Sequence, residues 1–249
     1  MLISGASSGI GRATALILAT TGRNLIITGR RKDRLDELAE QLRLAGANVF
    51  IAGFDVRDKQ QVQTFVNELP KEFRRIRVLV NNAGLAAGLD FIQDGDTDDW
   101  DSMIDTNIKG LLYLTRAALP LMIGVNGAQI VNVGSVAGRE MYAKGNVYCA
   151  SKAAVDALTR TMRIDLLDKG VRVSSVSPGM VETEFSMVRF KGDEARSAAV
   201  YKGIEPLTGK DVAEAIRYIV ESPFRINVAD MLLFPSAQAS ARDFLRTES

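Results

Sequence analysis

Apolar residues in this chain fall into two alternating patterns. Short runs rich in β-branched residues, such as Leu25-Ile26-Ile27, Val78-Leu79-Val80 and Ile130-Val131, are bounded by glycine or polar residues. Between them lie longer stretches in which apolar positions recur every three to four residues. The first pattern predicts strands buried on both faces, and the second predicts amphipathic helices packed against them. Strands are expected before Gly5, then at Asn24–Thr28, Val49–Asp55, Val78–Val80, Ala128–Ser135, Val171–Ser177 and Ala229–Pro235. Helices are expected at Arg12–Thr21, Arg30–Arg43, Asp58–Leu69, Asp98–Leu119, Tyr148–Asp168 and Asp211–Glu221, the third ended by Pro70. This β-α-β-α order predicts an α/β fold: one doubly wound parallel sheet of about seven strands in one domain over 1–249, with helices on both faces. The first strand is short, because only four residues precede Gly5. That shortness suggests a residue or two missing from the natural start. Glu184–Tyr201 is polar and without clear period, and a substrate-covering lid is expected at about 183–203.

In such a sheet, ligands bind beyond the carboxyl ends of the strands. The residues that follow the expected strands therefore carry the functional information. After the first strand comes Gly5-Ala6-Ser7-Ser8-Gly9-Ile10-Gly11, opening a helix. Glycines there permit a tight turn and close approach of backbone to a pyrophosphate, with the helix N-terminus favouring the negative charge. After the second strand, Arg30 and Arg31 stand where an acid commonly binds the adenosine ribose 2′-hydroxyl. A guanidinium suits a 2′-phosphate instead, so NADP(H) is expected over NAD(H). Asp55 and Val56 fall where a carboxylate and a backbone amide meet an adenine. Asn82-Ala83-Gly84 ends the fourth strand with small residues that let a cofactor lie near the backbone. Pro178, Gly179, Val181 and Thr183 form a turn at the same edge. Thr183 is a candidate for the nicotinamide carboxamide, with helix capping as its rival role.

The fifth strand delivers Ser135, and the helix after it carries Tyr148 and Lys152 four residues apart on one face. A phenol titrates near pH ~10 in water. A neighbouring ammonium favours the phenolate, and a phenol so lowered suits acid–base work on an alcohol or carbonyl. Ser135 is placed to hydrogen-bond the same substrate oxygen. Asn107 lies within an otherwise apolar helical stretch, where a buried amide needs partners; the alternatives are a surface asparagine and a helix kink holding water that links Lys152 to solvent.

Composition narrows the chemistry. The 249 residues include no histidine, which removes Ser-His-Asp and Cys-His catalysis and every histidine-containing metal site. No metal is expected. The acidic run Asp94–Asp101 lacks calcium-loop spacing and reads as the start of a helix, where acids are favoured by the dipole. A net charge of +1 gives no argument for nucleic acid or an anionic membrane as a partner. No apolar run reaches the ~18–20 residues needed to span a bilayer, and no signal-peptide pattern is visible. The one cysteine, Cys149, fits a reducing cytoplasm.

Together, SGASSGIG at 4–11, NNAG at 81–84, Asn107, Ser135, Tyr148-x-x-x-Lys152 and Pro178-Gly179 resemble the short-chain dehydrogenase/reductase family over almost the whole chain. The resemblance implies a Rossmann-like fold and a homotetramer in which the Asp98–Leu119 and Tyr148–Asp168 helices pair between subunits. It implies Tyr148 as acid/base, Lys152 binding the nicotinamide ribose and lowering the Tyr148 pKa, Ser135 orienting substrate and Asn107 maintaining a proton relay. GLAAGLD (84–90), DDWDSMIDTNIKGLLYLTR (98–116), GNVYCASKA (145–153) and TEFSMVRFKGD (183–193) resemble the branch of NADP-dependent 3-hydroxy acid dehydrogenases. That branch implies reversible oxidation of serine, L-allo-threonine or 3-hydroxypropionate-type acids. A carboxylate substrate needs a cation, and Arg189, Lys191, Arg139 and Lys144 are the candidates. The rival expectations are a reductase of 3-ketoacyl thioesters or other bulky carbonyls, and a non-catalytic NADP-binding regulator.

Overall fold

A computed structural model describes residues 1–20 and 22–247. Seven parallel strands form the main sheet in the order β3-β2-β1-β4-β5-β6-β9. They are β1 (Leu2–Ile3), β2 (Asn24–Gly29), β3 (Asn48–Gly53), β4 (Val78–Asn81), β5 (Gln129–Val133), β6 (Arg172–Pro178) and β9 (Asp230–Leu233). The intervening helices are α1 (Gly9–Leu18), α2 (Lys32–Leu44), α3 (Lys59–Glu68), α4 (Thr97–Ile104), α5 (Leu111–Ala118), α6 (Asn146–Asp165) and α9 (Gly209–Glu221). The expected end of the first helix, Thr21, lies outside the described residues.

Strand alternation explains the layering. Ile3, Leu25, Ile27, Val78, Val80, Val131 and Val176 face one way and pack with Leu18 of α1, Leu35 and Leu38 of α2, and Ile216 and Ile219 of α9. Leu2, Ile26, Leu79, Ile130 and Val173 face the other way, against Val62 and Phe65 of α3 and Leu114 and Ala118 of α5. Because successive strand side chains point to opposite faces, each short apolar run serves two cores. Helix starts follow from polar caps. Asp58 accepts from the amides of Gln60 and Gln61 at 2.9 and 3.0 Å to begin α3. Asp96 accepts from the Asp98 amide at 3.0 Å to begin α4, and this cap accounts for the acidic run. A buried polar chain crosses from sheet to helices. Asn81 Nδ2 donates to Thr115 Oγ1 and Asn132 Oδ1, each at 2.9 Å, and Asn132 Nδ2 donates to Thr159 Oγ1 of α6 at 2.9 Å.

Two expectations need correction. The Asp98–Leu119 helix is interrupted: a π-helical turn, Asp105–Gly110, separates α4 from α5. The lid is not irregular but forms α7 (Phe185–Arg189) and α8 (Glu194–Tyr201), with Asp193 capping α8 through the Arg196 amide at 3.0 Å. This segment is tied at its base by a two-strand parallel ladder, β7 (Val181–Glu182) with β8 (Leu207–Thr208). Tyr201 adds a hydroxyl bond to the Val181 carbonyl at 3.0 Å. No helix among the described residues is long and apolar enough to cross a membrane.

Candidate active site

The sheet reverses its winding between β1 and β4, and a crevice opens above their carboxyl ends, the position where α/β sheets hold ligands. It encloses about 310 Å³. Gly5, Ser7, Ser8, Gly9, Ile10, Arg30, Arg31, Asp55, Val56, Asn82, Ala83, Gly84, Pro178, Gly179, Val181 and Thr183 line it, together with Ser135, Tyr148 and Lys152. Gly11 and Asn107 do not.

Gly11 acts one layer behind. A Cβ there would stand 2.4 Å from Asn82 Nδ2 and 2.4 Å from the Gly5 carbonyl oxygen. The Asn82 amide donates to the carbonyls of Ser4 and Gly5 at 2.9 and 3.1 Å, pinning the glycine loop to the end of β4. Gly5 itself has φ +64°, a left-handed conformation natural to glycine.

Ser135 lies two residues beyond β5 as the cap of a short 3-10 turn, its Oγ accepting from the Ala137 amide at 3.1 Å. Tyr148, in the first turn of α6, is 8% exposed and packs beside Phe185 of α7, ring centres 5.6 Å apart. Lys152 follows one turn later, 7% exposed, with Nζ donating to the Val133 carbonyl at 3.0 Å. Burial lowers the Lys152 ammonium to about 8.

The expectation that Lys152 lowers the Tyr148 pKa does not hold in this ligand-free geometry. Burial, with a smaller contribution from Tyr142, raises the Tyr148 phenol well above its ordinary value. The groups that oppose this rise are the Ser135 hydroxyl and the Arg189 guanidinium. Lys152 instead spends a hydrogen bond on Val133.

Asn107 sits in the π-helical turn, and protein groups satisfy its amide. Its Oδ1 accepts from Leu85 N at 2.8 Å, and its Nδ2 donates to Leu85 O at 2.8 Å and Ser151 Oγ at 3.0 Å. The kink is therefore a π turn, a common departure at functional helices. Gly84 lies between Asn107 and Lys152: a Cβ there would meet Asn107 Oδ1 at 3.2 Å and Lys152 Nζ at 3.5 Å.

The four candidate cations separate clearly. Lys191 pairs with Asp96 at 3.3 Å and Asp99 at 3.0 Å, fastening the turn after α7 to the start of α4; both carboxylates line the recess that also holds Arg189. Arg139 pairs with Asp156 and Asp230. The Lys144 ammonium lies over the Phe91 ring, 4.7 Å from its centre. Arg189, the last residue of α7, donates from Nε to the Gly88 carbonyl and from Nη1 to the Tyr142 hydroxyl, both at 3.0 Å. Its guanidinium carbon lies 5.7 Å from the ring centres of Tyr142 and Tyr148 alike, in a narrow recess adjoining the crevice.

On the cofactor side, the Asp55 carboxylate is gripped by Arg57 through contacts of 2.7 to 3.1 Å. Burial pushes its pKa up, but these bonds outweigh burial and hold it below the usual range. Thr183 lines the crevice, and its Oγ1 accepts from the Phe185 amide at 3.2 Å just ahead of α7, whose cap position is Glu184. Sequence reasoning missed Glu184, which bonds Arg31 at 2.8 Å and also bonds Arg34. It missed Tyr142 and Phe185 as well. A glutamate beside Thr183 carried no local signal of a partner some 150 residues earlier.

The "short chain dehydrogenase" family model matches residues 1–194. The chain is 51% identical over 240 residues to sulfoacetaldehyde reductase 2 of Chromohalobacter salexigens, covering 96% of this chain and 95% of that one. It is 43% identical over 251 residues to the NADP-dependent 3-hydroxy acid dehydrogenase of Schizosaccharomyces pombe, covering 100% and 97%. Among solved structures, the closed form of serine dehydrogenase complexed with NADP+ superposes with a TM-score of 0.92 at 41% identity, covering 99% of each chain. Matched by the family model over residues 1–194 and by relatives along nearly its full length, the chain belongs to the short-chain dehydrogenase family of oxidoreductases.

Proposed function

We propose that the protein is an NADP-dependent oxidoreductase for small anionic alcohols and aldehydes, interconverting a 3-hydroxy acid and its semialdehyde. The glycine loop, the open crevice and the guanidinium groups of Arg30 and Arg31 that line it fit a dinucleotide carrying a 2′-phosphate. When bound, the nicotinamide supplies the hydride exchange. The chain's own residues supply the rest. Tyr148 donates a proton to the carbonyl oxygen in reduction and takes it back in oxidation. The raised pKa keeps the phenol protonated in the ligand-free protein, the form reduction requires. Ser135 holds the same oxygen, Lys152 takes the nicotinamide ribose, and Asn107 positions the helix turn behind Lys152.

One observation carries the substrate class: the Arg189 guanidinium lies 5.7 Å from the ring centre of the catalytic phenol and pairs with no carboxylate among the described residues, whereas Arg139 pairs with Asp156 and Asp230, Lys191 pairs with Asp96 and Asp99 in the wall of the same recess, and Lys144 lies over Phe91. A carboxylate or sulfonate near Arg189 places a carbon one or two bonds away beside Tyr148. Serine, L-allo-threonine and 3-hydroxypropionate meet this demand. Sulfoacetaldehyde has the same order of aldehyde, methylene and anion, so the 51% identity to a sulfoacetaldehyde reductase favours a second reading within one class.

The test is a panel of 3-hydroxy acids and isethionate with NADP+ or NAD+, and of sulfoacetaldehyde with NADPH, followed by absorbance. Arg189→Met is expected to raise KM for the anionic substrates by about ten- to a hundredfold, the worth of a charged hydrogen bond. Tyr148→Phe is expected to lower kcat by about 10²–10⁴. Faster turnover of a 3-ketoacyl thioester than of any small acid, or NADP+ binding without turnover of any of these compounds, would refute the proposal.

A further inference from the structure

Glu184 sits where three segments meet. Its carboxylate accepts from Arg31 Nη1 at 2.8 Å and also from Arg34 of α2. Arg31 follows β2 and donates to the glycine-loop hydroxyls as well, to Ser8 Oγ at 2.8 Å and Ser7 Oγ at 3.3 Å. Glu184 itself precedes α7, and its carbonyl accepts from the Val188 amide at 2.9 Å. Arg31 and Glu184 both line the crevice, with side chains about 40% exposed. An anion therefore already occupies a guanidinium fork at the end of the second strand. That is where the 2′-phosphate of the cofactor proposed above would seek its cation.

We infer that Glu184 is a resident anion that competes with the cofactor's 2′-phosphate for Arg31, and that its release is passed to α7. A carboxylate and a phosphate dianion repel when they share one fork, so the stronger acceptor displaces the weaker. Only a cofactor bearing the 2′-phosphate does this, and Glu184 thereby tunes discrimination between the two nicotinamide cofactors. The five-residue helix that follows carries Phe185 against the Tyr148 ring and ends at Arg189. Freeing the residue that precedes this helix therefore reaches the walls of the substrate recess.

This inference rests on the NADP reading, and the experiment separates the two. The probes are 2′,5′-ADP and 5′-ADP, titrated calorimetrically into wild type, Glu184→Gln and Arg31→Ala. Wild type is expected to prefer 2′,5′-ADP, and Arg31→Ala to lose that preference. Glu184→Gln is expected to bind 2′,5′-ADP about three- to tenfold more tightly, since each half-exposed pair is worth up to about fivefold. Its Kd for 5′-ADP stays the same. Hydrogen exchange adds a readout independent of turnover: 2′,5′-ADP, but not 5′-ADP, accelerates exchange in residues 185–192 of wild type, and Glu184→Gln exchanges fast from the start. Equal affinity of wild type for both probes would overturn the NADP reading and this inference with it. A wild-type preference for 2′,5′-ADP, with unchanged or weaker binding by Glu184→Gln, would overturn this inference alone, leaving Glu184 as a strut for Arg31. Unaltered exchange in 185–192 would overturn the link to α7.

Discussion

Replacing Lys152 by Met should make the ligand-free protein more stable while disabling it. The ammonium is buried and lowered from 10.5 to about 8. At ~1.36 kcal/mol per unit, holding that charge inside costs about 3 kcal/mol near neutrality. Methionine fills a similar volume without charge, but it forfeits the 3.0 Å hydrogen bond to the Val133 carbonyl. That loss returns about 1 kcal/mol, leaving a net gain of about 2 kcal/mol. In a chain of this size such a gain raises the melting temperature by about 4–8 °C. The pH dependence gives the sharper signature. The folded pKa lies below the unfolded one, so between about 8 and 10.5 the unfolded chain binds more protons. Stability contributed at this site therefore rises with pH through that window, and the penalty is complete below it. The advantage of Lys152→Met is expected at pH ~7 and should fade as pH approaches ~10. Circular-dichroism melts of both proteins at matched concentration, without cofactor, measure it. A variant that melts at or below the wild type near neutrality, or an advantage independent of pH, would show that the burial penalty is not the controlling quantity.

Gly11→Ala places a methyl 2.4 Å from Asn82 Nδ2 and the Gly5 carbonyl oxygen; overpacking of this kind should destabilise the fold by about 1–3 kcal/mol in urea titration, and unchanged stability would refute the packing role. We expect a homotetramer by light scattering, because Ile104 and Leu112 beside the π turn and Ile164 at the end of α6 present exposed apolar side chains; a monodisperse monomer would refute it.

Residues placed by strand ends were legible in the sequence. A strand fixes where its last residue points, so Ser135 after β5 and Asn82 after β4 reach one edge whatever the rest of the chain does. The four-residue spacing of Tyr148 and Lys152 likewise needs only a helix. What stayed hidden depends on partners distant along the chain. Lys191 looked like a substrate cation until Asp96 and Asp99 claimed it. The π turn at Asn107 arises from bonds to Leu85 and Ser151, and no local propensity announces it. The phenol's pKa in the ligand-free protein was hidden for a related reason. Spacing gave the lysine's proximity, but burial and the Val133 carbonyl set the balance.

The amide and hydroxyl chain from Asn81 through Asn132 to Thr159 has an evolutionary corollary. It works as a key in a lock: sliding or rotating α6 by one residue would strand those groups without partners in a dry interior. The helix bearing the phenol is thereby indexed to the sheet from below, independently of anything above it. Mutation can remodel the roof of the pocket, and with it the choice of molecule admitted, without shifting the Tyr148 hydroxyl. A scaffold built this way can change its diet while its chemistry stands still.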